Sequence, residues 1–366
     1  MNKEYKINIA EPDITNLELE YITKAVRSNQ LSSTGSFVNK FEESFAEFCE
    51  VKYATTCMNG TVALHLALIG VGVCKDDEVI VPALTYVSTA NAVVHAGATP
   101  VFVDIHPGHW GMDPEQVRKK ITSKTKAIIA VHLYGHPADM DPLLEICEEF
   151  GIKLIEDAAE AHGAKYKGKT VGSIGSVGTF SFFGNKILTT GEGGMVTSND
   201  QEIINKINIY KNHGNNPNKR YHHQVIGYNY RMTNLQAAIG LAQVERADEI
   251  LSKKRAIAKL YNDGLQDLPL EVQPHMIWAE PVNWMNCIVL EDGTLPRDKM
   301  QNELKKLGID TRPFFEPIPH LDIYSDPGYF PISKKLSSRG INLPSSSKLK
   351  EDEITYIVSS IRNILS

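Results

Sequence analysis

The chain has 366 residues, with 38 Lys and Arg against 44 Asp and Glu and a formal net charge of −6. That length exceeds what one hydrophobic core usually serves, so a large unit and a smaller one are expected. No basic block is present to follow a phosphate backbone, which excludes nucleic acid as a partner.

At the N-terminus, Met1-Asn2-Lys3-Glu4-Tyr5-Lys6 carries no apolar run behind its charges. Nowhere does the chain approach the roughly 20 apolar residues that cross a bilayer, so a cytoplasmic protein without a membrane segment is expected. The five cysteines, Cys49, Cys57, Cys74, Cys147 and Cys287, show no C-x-x-C spacing. They fit a reducing compartment, speak against a zinc or other metal site, and read as small buried hydrophobes.

The first chemical signal is Asn59-Gly60-Thr61, ahead of the apolar helical stretch Val62 to Ile69. A glycine opening such a helix lets backbone N–H groups approach a phosphate, with the Thr61 hydroxyl as a further donor. A plain turn with an N-cap fits the same residues equally well. From Glu78 to Val177 short β-rich runs (79–81, 100–103, 127–131, 152–155) alternate with helical segments at 114–121 and 140–150. This alternation predicts an α/β fold with a mainly parallel central sheet, whose functional groups gather at the carboxyl ends of the strands. Tyr86 follows the first of these runs and can offer a ring face to a planar ligand, or simply pack in the core.

Glu156-Asp157-Ala158-Ala159-Glu160-Ala161-His162 follows the fourth run. A carboxylate at that strand end suits a protonated pyridine nitrogen, while Asp157 with Glu160 three positions on also fits a helix-capping box. The glycine-rich Gly172 to Gly178 lacks G-x-G-x-x-G spacing and opens no βαβ unit, so it is weak evidence for a dinucleotide. Gly178 to Lys186 reads as a buried strand whose end delivers one lysine, before a flexible Thr189 to Gly194. An amine among apolar and aromatic neighbours has its charged form disfavoured, which frees a lone pair for Schiff-base chemistry. Most lysines are solvated surface groups; this one closes an apolar run where a surface residue has no local reason to be.

The polar, aromatic loop Gly227 to Asn234 precedes a helix over 235–242. Beyond it the pattern changes. A charged helix over 245–265, a strand over 286–290 and helices over 297–307 and 352–365 predict a small α+β unit spanning 245–366, after a large unit spanning 1–244.

Taken in order, Asn59-Gly60-Thr61, Glu156 to Gly163, Ser181 to Lys186 and Tyr228 to Asn234 resemble the DegT/DnrJ/EryC1/StrS family of sugar aminotransferases, and the likeness runs from Glu11 to Ser345. The resemblance implies the fold type I architecture of aminotransferases that use pyridoxal 5′-phosphate, and a homodimer with composite active sites. It implies that Lys186 bonds the cofactor covalently, Asp157 pairs with its ring nitrogen, Tyr86 stacks on the ring, and Gly60, Thr61 and Ser181 hold its phosphate. Glu160 would lie near the ring oxygen, and Asn229 would reach the phosphate in the neighbouring subunit. Arg312, Phe314 and His320 are substrate-pocket candidates on the same grounds, with domain-interface packing as the other reading. Two departures stand out: Tyr86 replaces a Phe or Trp, and His136 replaces a Gln.

The reaction so implied moves an amino group from L-glutamate to the 4-keto group of a nucleotide-linked 6-deoxyhexose. Guanosine, uridine and thymidine carriers, and a 3-keto position, stay open at this stage. A sugar 3-dehydratase would carry histidine in place of Lys186, and a nicotinamide-dependent dehydratase would need the missing dinucleotide fingerprint. An inert paralogue that keeps the fold is the remaining alternative.

Overall fold

The computed structural model describes residues 6–366. A seven-stranded sheet forms the centre, in the order Tyr53–Cys57, Gly194–Ser198, Val177–Ser181, Lys153–Asp157, Thr125–Val131, Glu78–Pro82 and Thr99–Val103. Neighbours from Val177–Ser181 to Thr99–Val103 pair in parallel, and Gly194–Ser198 runs antiparallel to both of its partners. The sheet is buried on both faces because the strands carry apolar residues at successive positions. In Glu78–Pro82, Val79 and Val81 join one core with the helix Gly60–Gly70, while Ile80 joins another with the helix Met140–Phe150. The period of two divides each strand's apolar residues between the layers.

The C-terminal part holds a four-stranded antiparallel sheet in the order Leu270–Val272, Asn286–Leu290, Gly340–Leu343 and Arg312–Pro313. The helices Ala247–Leu265 and Glu351–Leu365 pack on it through Ile257, Tyr261, Ile354 and Ile357. Ile7 belongs to this same core and bridges to Ile309, so residue 7 packs with the C-terminal part. Asp104, at the end of the strand Thr99–Val103, accepts from the amides of Ile332 and Ser333, both at 2.9 Å, in the first turn of the helix Pro331–Arg339. This fully buried carboxylate caps a C-terminal helix from the central sheet, a placement favoured by the helix dipole.

Several elements differ from the sequence reading. The strand read as far as Lys186 ends at Ser181, and no helix follows Asp157, so the capping-box reading there fails. The helix expected from Glu245 begins at Ala247, after a break at Arg246 that separates it from the helix Asn234–Glu245. Arg246 stands there because Asp13 and Glu18 each pair with it at 2.9 Å. Two N-terminal helices, Asn16–Arg27 and Ser36–Phe48, were not anticipated, although Thr15 and Glu18 form a capping box at the first. Cys74 is exposed; the other four cysteines are buried. Among the described residues no helix is long and apolar enough to cross a membrane.

Candidate active site

A cavity of about 370 Å3 opens at the carboxyl ends of the parallel strands. Of the residues singled out in the sequence, Gly60, Thr61, Tyr86, Asp157, Glu160, Ser181 and Lys186 line it. Asn229 does not; it sits in the loop that bridges back to Asn212, where it accepts from Arg231 at 3.2 Å. Nor do the three substrate candidates. Arg312 is exposed and pairs with Asp310, Phe314 is buried against Trp110 and Tyr134, and His320 lies on the surface near Phe330. His136, where Gln was expected, is buried and bonds the Pro137 carbonyl at 2.7 Å.

Lys186 is delivered by a tight turn rather than by the strand itself. After Ser181 the chain folds back so that Lys186 N donates to the Phe183 carbonyl at 2.9 Å and Thr190 N to the Phe182 carbonyl at 2.9 Å. Thr189 and Thr190 are buried and hydrogen-bonded within this turn. The Lys186 side chain is 12% exposed, with Nζ 3.6 Å from Glu160 Oε1. Burial pushes its amine below the ordinary lysine value, opposed by the charges of Glu160 and Asp157. Burial likewise raises the Glu160 carboxyl to about 7, against the pull of Lys186 and of the Tyr134 amide, which donates to Glu160 Oε2 at 2.8 Å.

Tyr134 holds φ at +53° and Gly135 at +93°. A Cβ on Gly135 would stand 2.6 Å from Trp284 N, so only glycine lets this turn meet the chain entering the C-terminal sheet. The strain of a left-handed Tyr134 therefore aims one amide at Glu160 and leaves room for Trp284.

Asp157, at the end of its strand, is buried. Its Oδ2 accepts from Thr89 Oγ1 at 2.9 Å and its Oδ1 from the Ala159 amide at 3.2 Å. Thr89 in turn lies 3.3 Å from Thr85 Oγ1. Burial raises the Asp157 carboxyl, while the Thr89 and Ala159 bonds and the Lys186 charge oppose it. Asp157 and Glu160 thus face different partners.

On the opposite wall Asn59 caps the helix Gly60–Gly70 by accepting from Val62 N at 2.9 Å. A Cβ on Gly60 would lie 2.7 Å from Ser181 Cβ. Helix N-terminus and serine therefore close on one another with room only for a glycine, a cradle suited to a phosphate. The buried ring of His162, pushed down to about 3 by burial, lies among Phe45, Phe180 and Phe182.

Trp284, Phe315, Thr89 and Asn185 were missed in the sequence. Trp284 and Phe315 wall the cavity from the C-terminal part, and no local pattern announces them. The glycine-rich 172–178 stretch proves to hold a carboxylate of its own chain: Gly172, Ile174 and Gly175 amides all donate to Glu156 at 2.7 Å, and His132 Nε2 lies 3.1 Å from it. Its amides are spent on that carboxylate, which leaves no dinucleotide site there.

Residues 12–362 match the DegT/DnrJ/EryC1/StrS aminotransferase family over nearly the whole chain. The chain belongs to this family. Among its relatives is the GDP-perosamine synthase of Escherichia coli O157:H7, 46% identical over 98% of this chain and 99% of that protein. The GDP-perosamine synthase of Vibrio cholerae is 45% identical over 98% of both. Among solved structures, S. venezuelae DesV in complex with a ketimine intermediate superposes with a TM-score of 0.90 at 34% identity, covering 94% of this chain and 93% of that one. The PLP form of Spr1654 from Streptococcus pneumoniae gives 0.93 at 29% identity, covering 98% of both chains. The architecture is therefore the fold type I of aminotransferases, with a large sheet domain and a smaller C-terminal α+β domain. The protein is an aminotransferase dependent on pyridoxal 5′-phosphate, and its buried lysine, strand-end carboxylate and glycine-lined cradle fit that group.

Proposed function

We propose that this aminotransferase moves the amino group of L-glutamate onto the 4-keto group of GDP-4-keto-6-deoxy-D-mannose, giving GDP-perosamine for O-antigen and lipopolysaccharide synthesis. The observation that carries the reaction class is the buried Lys186 amine beside Glu160, in the same cavity as Asp157. The choice of sugar is supported by the GDP-perosamine synthases, which align over almost the full chain.

Gly60, Thr61 and Ser181 would hold the cofactor's phosphate, Tyr86 would cover its ring, Asp157 would pair with its ring nitrogen and Glu160 would stand by its ring oxygen. When bound, the cofactor supplies an electron sink for the charge left on the donor's α-carbon as its proton departs. The chain's own work is proton handling. Lys186 would bond the cofactor and, with its amine free, would take the proton from the donor's α-carbon and hold it for return. For the sugar half the same amine returns a proton to the carbon that gains nitrogen. Its lowered basicity serves both directions, because a fully protonated lysine accepts no proton. The Thr89 hydroxyl donates to Asp157 and opposes the burial that favours its neutral form, the direction the ring nitrogen requires.

The protein works in the cytoplasm as a homodimer. Asn229 lies away from its own cavity, in a region that exposes Tyr221 and Ile226, which suits a reach into the partner's site. A glutamate-dependent assay against GDP-, UDP- and dTDP-keto sugars, with the amine position read by NMR, tests the substrate. Amination of only uridine- or thymidine-linked sugars, or at C3, rejects the sugar while leaving the reaction class.

A further inference from the structure

Lys186 Nζ lies 3.8 Å from the centre of the Trp284 indole, the nearest aromatic face to any cation in the described structure. That contact is built rather than incidental. Trp284 Nε1 donates to the carbonyl of Asn185 at 2.7 Å, so the ring is tied to the residue that precedes the lysine. Its backbone carbonyl accepts from Lys254 at 2.8 Å, a buried amine that also bonds the Ser345 carbonyl. Behind it, Tyr134 stacks at 6.3 Å with an interplanar angle of 17°, and Gly135 leaves room for its amide. Ring, backbone and packing thus all hold the indole at one place, and the residue is 6% exposed.

We propose that Trp284 is a second holder of the Lys186 amine, its indole face stabilising the ammonium form by a cation–π contact while Glu160 does so by charge. The inference rests on the reading of Lys186 as the cofactor-bonding amine and adds how the protein manages that amine when it is free. A buried amine held by the charges of Glu160 and Asp157 alone would release its proton too readily. An indole is the strongest aromatic partner for a cation and, unlike a second carboxylate, adds no charge that must be desolvated. It favours the protonated amine without trapping the proton. In that role Trp284 sets how readily Lys186 gives up the proton that it delivers.

The test reads the amine directly. The cofactor-free full-length protein is pulse-labelled with acetic anhydride across a pH series, and mass spectrometry gives the titration midpoint of Lys186. In Trp284→Leu the midpoint should fall by about 0.4 to 1.5 pH units, the range that cation–π contacts supply. Site-specific replacement of Trp284 by mono-, di- and trifluorotryptophan keeps the shape and the N–H and weakens only the ring's negative face. The midpoint should then fall in steps with fluorine number. A midpoint unchanged in Trp284→Leu overturns the proposal, and so does a drop in the leucine variant with none across the fluorinated series, which assigns the indole to packing alone. Borohydride reduction of the parent holoenzyme is run beside it. If Lys186 is tagged but the fluorinated series is flat, the inference falls and the functional reading stands; if Lys186 is not tagged, the functional reading falls first.

Discussion

Replacing Thr89 with valine removes one hydroxyl and almost no volume, yet it strips the buried Asp157 carboxylate of its only side-chain donor among the described residues. A hydrogen bond to a charged acceptor is worth roughly 1.5 to 3 kcal/mol. At about 1.4 kcal/mol per pH unit, its loss should raise the ionisation midpoint of Asp157 by about 1 to 2 units. The direction follows from burial, which already favours the neutral carboxyl and which the Thr89 bond opposes. A neutral Asp157 no longer supports a protonated ring nitrogen, so the acid limb of the glutamate half-reaction should move to higher pH by the same amount. Stopped-flow absorbance of the cofactor between pH 5 and 9 measures this, with the largest loss at the acid end and partial recovery at the alkaline end. Thr85→Val is the control. Its hydroxyl lies one step back, 3.3 Å from Thr89, and should shift the limb less. If Thr89→Val keeps the parent's acid limb, or if Thr85→Val moves it as far, the assignment of Asp157 to the ring nitrogen loses its support.

Lys186→Ala should abolish turnover while circular dichroism and the melting curve stay close to the parent's; any undiminished rate in the purified variant rejects the assignment. Gly135→Ala puts a Cβ 2.6 Å from the Trp284 amide at a φ of +93°, which should cost about 2 kcal/mol or more of stability in urea unfolding. A parent-like midpoint would mean that the turn relaxes freely. His136, pushed down to about 4 by burial, stays neutral in the fold but takes up a proton on unfolding below its ordinary value near 6.5. Its contribution to stability is therefore complete above pH 6.5 and is lost as pH falls toward 4. Between pH 7 and 5 it should account for about 2 kcal/mol of destabilisation. Urea unfolding of His136→Gln at both values should show that much less pH dependence, and an identical dependence would refute the burial argument.

The parts of this molecule that the sequence made legible are those decided by neighbours along the chain. The helix Met140–Phe150 and the strand Asn286–Leu290 match the readings from apolar spacing residue for residue. Lys186 stood out because it closes an apolar run, although the strand stops at Ser181 and a turn does the delivering. The misreadings are equally physical. Asp157 and Glu160 have the spacing of a capping box, but the chain turns without entering a helix, and the carboxylates take Thr89 and Tyr134 as donors instead. Those partners lie 68 and 26 positions away, beyond any local pattern. Trp284 and Phe315 escaped for the same reason, since what makes them part of the site is the docking of the C-terminal part. The unanticipated helix Asn16–Arg27 is a different case: its Thr15 and Glu18 signal was present in the sequence.

The tie between Asn185 and Trp284 spans 99 positions. At a synthesis speed of about 5 to 20 residues per second, a ribosome makes the lysine turn roughly 5 to 20 seconds before the indole that will face it. During that interval the growing chain carries a nucleophilic amine with one wall of its chamber still unwritten.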